Sequence, residues 1–416
     1  MKEIRSLFVN SLLTTVLTFG CLASAQDKLG PPAYSWDLSP DASYAARTAK
    51  QLKTMTLEGP KVFFLDNEKV AITYADGEAA PVGKGTSLGP GSSGQSSESP
   101  LYKFHALIFD SNKGPAAGNH LEWEAVREGA QFMPIAHGGF AVRVDNHLMV
   151  YSDDSRLLET KDFEYQANKP LPGGESVVEE YYSAAMSATG NTVVVCHSLR
   201  GRHSGGEQVV WYDIKTLKEL GQSEMGRVAG CRLSFSVTDN AAYSGLYVAH
   251  SDAPQWQVVN PRCISCAPMP YQPSQYRFFD LLNEKSVLVY GKDNQVLDVE
   301  GHLLYVTTHE EGVRVDKPDV FLSMPHAANA PRIAYDDGQP RQEAGHRRSK
   351  RIHVADWKDG REIAVIKVIQ EQLPVLHDDG LQLSHPNLID LFYALSPDGK
   401  KLAVLSMNSV NIYKLP

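Results

Sequence analysis

Cys263-Ile264-Ser265-Cys266 is the sharpest chemical motif in the 416-residue chain. A redox-active C-x-x-C needs its first thiolate at a helix N-terminus, whose partial positive charge lowers the thiol pKa. Here Pro268, Pro270 and Pro273 follow at once and forbid that helix. No second close pair completes a four-cysteine zinc site either. The motif therefore reads as structural: a disulfide within itself, or separate pairings of Cys263 and Cys266 with Cys196 and Cys231. The fourteen histidines include no H-E-x-x-H. His309-Glu310-Glu311 and His377-Asp378-Asp379 set imidazole beside carboxylates, as metal-assisted hydrolysis requires, but polar connecting loops account for both. Residues 293–301 and 335–338 lack the alternating acidic order of a calcium loop and read as turns. His137-Gly138-Gly139-Phe140 resembles an oxyanion-hole stretch in spelling alone, since no G-x-S-x-G elbow accompanies it. No G-x-G-x-x-G opens a helix. On these grounds no catalytic, cofactor-binding or metal-binding residue is assigned; the site residues are the disulfide candidates Cys196, Cys231, Cys263 and Cys266.

The elements that would carry such residues are strands. The one helical pattern spans Asp41 to Met55, with Ser39 or Asp41 as its cap. After Gly59 the chain breaks into short apolar runs separated by Gly, Asp, Asn and Pro, the signature of an all-β fold. The runs repeat. Residues 185–196 align with 394–405, superposing Ala185 on Ala394, Ser187 on Ser396 and Gly190 on Gly399. Residues 66–77 align with 282–293 through a shared Asn-Glu-Lys. A third element, an apolar strand ending in Asp and then a polar turn, recurs in 105–114, 209–220 and 352–363. Asp or Asn with Gly supplies hairpin turns. The full unit of four strands returns every 45 to 55 residues, which predicts a β-propeller of about seven four-stranded blades. The last three runs, 393–416, leave an open edge. A strand from before residue 66, within 33–40 or 61–66, is expected to pair with it and close the ring.

Residues 393–415 resemble the strand–Ser-Pro-Asp-Gly–strand–strand unit of bacterial exported propellers of the WD40-like and YVTN group, which includes TolB-like and lactonase-like folds. The likeness is fair over 183–220 and architectural elsewhere, and no Gly-His…Trp-Asp signature occurs. It implies a fold, because the group includes enzymes, scaffolds and sensors. Trp123, Trp211, Trp256 and Trp357 lie in or beside strands and are expected to pack between blades.

Residues 1–25 read as a signal peptide: Lys2 and Arg5, then the apolar run Leu7 to Leu22, then Ala23-Ser24-Ala25 as the cleavage site. Anchoring as a lipoprotein through Cys21 is the rival reading, weakened by Thr18 where an aliphatic residue belongs. Removing this segment takes the net charge from -9 to -10, because Lys2, Glu3 and Arg5 together carry +1. An acidic chain lacks the Lys and Arg that nucleic acid and anionic lipid demand. No later run is long enough to span a membrane. The domain layout is therefore a signal at 1–25, an N-terminal segment with a short helix at 26–59, and a propeller at 60–416. A Gly/Ser-rich loop at 77–100 and a polar insertion with a basic end at 336–351 interrupt the ring. His346 to Arg351 reads as a solvated loop. The expected role is a binding or scaffold module, secreted or periplasmic, holding a protein or small-molecule ligand at a propeller face, with no cofactor. The alternative is a lactonase-like hydrolase or quinoprotein-like oxidoreductase with its site in the central channel.

Overall fold

The computed structural model describes residues 29–45, 60–77, 102–125, 130–163, 179–200, 205–225, 235–237, 239, 242–246, 255–259, 278–283, 286–290, 295–298, 302–306, 326–336, 341–343, 347–371, 392–406 and 408–416. Strand β1 (Tyr34–Asp37) stands ahead of the blades. The first blade holds β2 (Lys61–Phe64), β3 (Lys69–Gly77), β4 (Tyr102–Asp110) and β5 (Asn119–Ala125). The second holds β6 (Gln131–Pro134), β7 (Phe140–Val144), β8 (His147–Tyr151) and β9 (Leu157–Asp162). The third holds β10 (Glu179–Met186), β11 (Thr192–Arg200), β12 (Gly205–Asp213) and β13 (Glu219–Met225). A three-stranded sheet follows: β14 (Phe235–Val237), β15 (Ala242–Leu246) and β16 (Gln255–Val259). Next come β17 (Phe278–Asn283), β18 (Ser286–Tyr290), β19 (Gln295–Asp298) and β20 (Leu303–Val306), then β21 (Arg332–Asp336), β22 (Arg341–Glu343), β23 (Arg347–Asp356) and β24 (Arg361–Glu371). The last blade holds β25 (Phe392–Leu395), β26 (Lys401–Ser406) and β27 (Ser409–Lys414).

The sheets are antiparallel; the sheet of β21–β24 departs from a meander because β23 pairs with all three of its partners. First strands touch between neighbouring sheets at β6 and β10, β10 and β14, β14 and β17, β21 and β25, and β25 and β2. The chain is an all-β propeller. Six sheets are four-stranded, and the sheet β14–β16 carries three strands among the described residues, against the expected seven of four. The expected helix over 41–55 is described only as a single turn, Ala42 to Ala45; the rest lies outside the described residues. Ring closure follows the expectation, and β1 is the strand that supplies it. It pairs antiparallel with β27, Tyr34 opposite Ile412 and Asp37 opposite Ser409. One correction concerns the basic end of 336–351. Arg347 to Arg351 belong to β23, where Ser349 pairs with Arg341 on one side and Ile369 on the other. Strand rather than loop forms because the alternation of residues 347–356 continues the apolar run Ile352–Ala355 without a breaker.

The repeats are the same local structure used again. Ser187 and Ser396 are buried at the first turn of their blades, and each hydroxyl accepts the backbone N–H five residues on, from Thr192 at 3.2 Å and Lys401 at 2.9 Å. Asp110, Asp213 and Asp356 each accept the N–H two residues on, at 2.8, 3.1 and 3.0 Å, and so turn the third strand into the fourth. Apolar residues between sheets form the core. Phe132, Phe140 and Trp123 join the first blade to the second, and Leu402, Val404, Ile352 and Val354 join the last to its predecessor.

Gly190 and Gly399 sit at equivalent turns with φ of 72° and 69°. A Cβ at Gly190 would lie 2.6 Å from the backbone nitrogen of Ala136 in the preceding blade, whereas one at Gly399 would meet the Arg332 side chain at 2.7 Å. A left-handed alanine costs about 1–2 kcal/mol at either position. Gly190→Ala adds a clash with rigid backbone, so its melting temperature should fall below that of Gly399→Ala; equal losses in thermal unfolding would contradict this packing.

Candidate functional site

Strand pairing in the first blade gathers polar residues that are far apart in sequence. Tyr74 on β3 lies opposite His105 on β4, and His105 lies opposite Glu122 on β5. Because alternate residues share a face, Asp76 and His120 join them. The same face carries Val70, Ile72, Leu107 and Phe109, which pack on Ala394, Leu405, Val410 and Ile412 of the last blade. The polar group thus sits at the closure seam, where the apolar face gives way towards the β3–β4 connection.

The segment after β1 completes it. Asp41 caps the helical turn: its Oδ1 accepts the Tyr44 N–H at 2.9 Å and the Ser43 hydroxyl at 2.6 Å. Its other oxygen faces His120 Nδ1 at 3.4 Å. His120 Nε2 and His105 Nδ1 share a hydrogen bond at 3.0 Å. His105 Nε2 faces Asp76 at 3.4 Å, and Glu122 stands 3.7 Å from His105 Nδ1 while accepting from Lys103 at 2.6 Å. The Tyr74 ring stacks on the His105 ring at 4.7 Å, and its hydroxyl reaches Ser43 at 2.5 Å, Asp41 at 3.3 Å and His120 at 3.4 Å. Tyr74 and His105 are each 1% exposed, while the carboxylates keep an edge in water.

Burial is the main influence on His105; together with the neighbouring His120 it lowers the imidazole pKa, against the pull of Asp76 and Glu122. Burial also pushes the Asp41 carboxyl up, but the Ser43 and Tyr44 hydrogen bonds and His120 outweigh it, so it ionises more readily than usual. Tyr74 is pushed above the ordinary phenol range, chiefly by burial. The arrangement can hold and pass protons between two carboxylates through two imidazoles. Tyr74 and His105 are both enclosed in the seam, so the exposed carboxylates are the part of the group that meets water.

The sequence motifs fall elsewhere. Cys196 is fully buried in β11, whereas Cys231, Cys263 and Cys266 lie outside the described residues. His309 to Glu311 and His377 to Asp379 also lie outside them. His137 to Phe140 is a tight turn with φ of 104° at Gly138 and 79° at Gly139. Residues 293–301 and 335–338, read as turns, are in part strand: Gln295–Asp298 form β19, and Tyr335 and Asp336 end β21. Asp298 accepts the His302 N–H at 2.7 Å where the chain turns after β19. Trp123, Trp211 and Trp357 are buried between sheets. Among the described residues no cluster of His, Cys, Asp or Glu has metal-binding geometry. His105 and His120 were not singled out by sequence: they are 15 positions apart, and only strand register joins them.

No family model matches the chain, and no curated protein matches it. Solved structures it resembles include the β-propeller domain of the Trilobed protease from Pyrococcus furiosus, at 11% identity and TM-score 0.39, covering 84% of this chain and 90% of that one. Oligogalacturonate lyase in complex with manganese matches at 11% identity and TM-score 0.40, over 76% of this chain and 85% of that one. TolB from Acinetobacter baumannii matches at 11% identity and TM-score 0.33, over 75% and 76%. At these scores the likenesses carry no argument about function, and the propeller rests on the chain's own sheet topology.

Tyr74→Phe removes a buried hydroxyl that touches three partners. It should lower unfolding stability by about 1–2 kcal/mol, measured by chemical denaturation; an unchanged midpoint would show that the hydroxyl bonds nothing that matters.

Proposed function

We propose that this chain is an exported binding module that docks an extended, basic and aliphatic segment of a partner protein along its outer strands. One observation carries the reading. Among the described residues the large exposed hydrophobics, Leu157, Leu158, Leu220, Leu303, Leu304 and Ile369, lie on β9, β13, β20 or β24, each the outermost strand of its blade. Outer strands present unpaired backbone donors and acceptors, and a partner strand that adds there gains main-chain hydrogen bonds while side chains give selectivity. Strand β9 is the most open: Leu157, Leu158, Glu159 and Thr160 are all exposed, so both its faces meet solvent. Its sequence Leu-Leu-Glu-Thr-Lys-Asp and the Glu-Leu-Gly-Gln-Ser-Glu-Met of β13 are apolar and acidic, and the mature chain carries -10, which favours a basic partner.

Export rests on the signal reading of residues 1–25, and no helix among the described residues is long and apolar enough to cross a membrane. Counting the sheet β14–β16 as a blade makes the ring seven-bladed. We further propose that the four mature cysteines are oxidised, with Cys196 joined to Cys231. Cys196 packs beside Val237 of the following sheet, and Cys231 precedes the first strand of that sheet by four residues in sequence.

A display library of extended nonapeptides tests the binding reading. Enrichment of peptides alternating Lys or Arg with aliphatic residues is expected. The paired substitutions Leu158→Lys with Glu159→Lys, and Leu220→Lys with Glu219→Lys, should abolish it while leaving the circular dichroism spectrum unchanged. No enrichment, or enrichment indifferent to these changes, would overturn the proposal. For the cysteines, thiol titration of the native exported chain should label none; two or more labelled thiols would reject the disulfides.

A further inference from the structure

We propose that Asp41, His120, His105 and Asp76 form a proton-operated latch that fastens the N-terminal segment to the first blade and loosens in mild acid. Four groups in a row make three contacts: Asp41 to His120 Nδ1 at 3.4 Å, His120 Nε2 to His105 Nδ1 at 3.0 Å, and His105 Nε2 to Asp76 at 3.4 Å. The hydrogen bond between the two imidazoles needs a proton on one nitrogen and a lone pair on the other. Full protonation of both rings places N–H groups on both sides of that 3.0 Å contact and sets two cations side by side inside the seam.

The surroundings oppose that full protonation. His105 is 1% exposed and stacked under the Tyr74 ring, so its charged form is poorly solvated. The groups that face the pair are Asp41 and Ser43 from the N-terminal turn, Tyr74 and Asp76 from β3, Lys103 beside His105 on β4, and Glu122 from β5. Glu122 is held by Lys103 at 2.6 Å, which reduces what it offers His105. The described residues of the last blade that pack on this face include Ala394, Leu405, Val410 and Ile412, all apolar. His105 therefore takes up its second proton less readily folded than unfolded, so the unfolded chain binds more protons as pH falls below the ordinary histidine value of 6.5. Stability that the seam holds above that value is lost in the window beneath it.

The latch has a structural consequence because the residues it holds follow β1 directly. Leu38 N–H is bonded to Asn408 O and Ala33 N–H to Ile412 O, so loosening Asp41 frees the strand that covers β27. Release would expose a second open edge on the last blade.

Hydrogen exchange of the full chain, corrected for the intrinsic pH dependence, reads this directly. Between pH 7.5 and 5, protection of the backbone over residues 33–45 should fall by roughly several-fold, the direction that proton linkage requires. A peptide spanning 138–146 in the second blade, which contains no histidine, should not change. In His105→Gln the pH dependence over 33–45 should vanish while protection at pH 7.5 persists. His105→Asn supplies the same reading if His105→Gln does not fold. Constant protection across the range, or an equal fall in the variants or in the second blade, would overturn the proposal.

Discussion

Everything in this ring depends on a four-residue antiparallel pairing between β1 and β27. A propeller blade is stable because its two faces are covered by the blades on either side, and a ring gives every blade both neighbours. Backbone hydrogen bonds between the two chain termini convert a row of sheets into that ring. The segment does more than pair. Trp36 on β1 donates its indole N–H to Ser111 O in the first blade at 3.0 Å, and its ring fills the space beside Gly114, where any Cβ would collide with it. Leu38 and Tyr44 are then buried in the core shared by the first and last blades. About twelve residues hold both sides of the closure.

That location explains why the polar group of the first blade is buried at all. Tyrosine stacked on a histidine directly opposite it recurs in other blades, at Tyr182 with His197 and at Tyr335 with His353. In the latter, His353 is held by Glu362 at 2.8 Å within its own blade. In the first blade the pair spans the second and third strands instead of starting on the first, and its imidazole meets a second histidine, which meets a carboxylate from another part of the chain. A packing pair used elsewhere becomes a link between segments. Its proton count then bears on closure, because a buried imidazole cannot turn to water when it gains charge.

The distribution of apolar surface follows from the same architecture. Inner strands and both faces of the middle strands are consumed by packing between blades, as the enclosure of Trp211, Phe140 and Leu288 shows. Outer strands are farthest from the axis, where the wedge between blades is widest, and their aliphatic residues remain in contact with water. Leu157 and Leu158 on β9 are about half exposed, at 48% each.

Much of the fold was legible because turns and strand alternation are local. Ser187 and Ser396, Gly190 and Gly399, and Asp110, Asp213 and Asp356 carry their hydrogen-bonding logic within six residues, so the repeat and the all-β class could be read from spacing alone. The edge left by residues 393–416 even called for a strand from the N-terminal side. Three matters were decided in three dimensions. Which segment closed the ring depended on register, since 33–40 and 61–66 both read as strands, and β2 was already taken by its own blade. The basic run Arg347 to Arg351 became strand because partners on both sides satisfied its backbone. The Asp41–His120–His105–Asp76 row had no sequence signal, because its members lie on four separate segments. Local chemistry specifies turns and strands; a site made of side chains brought together by sheet register and ring closure exists only once those distant segments have paired.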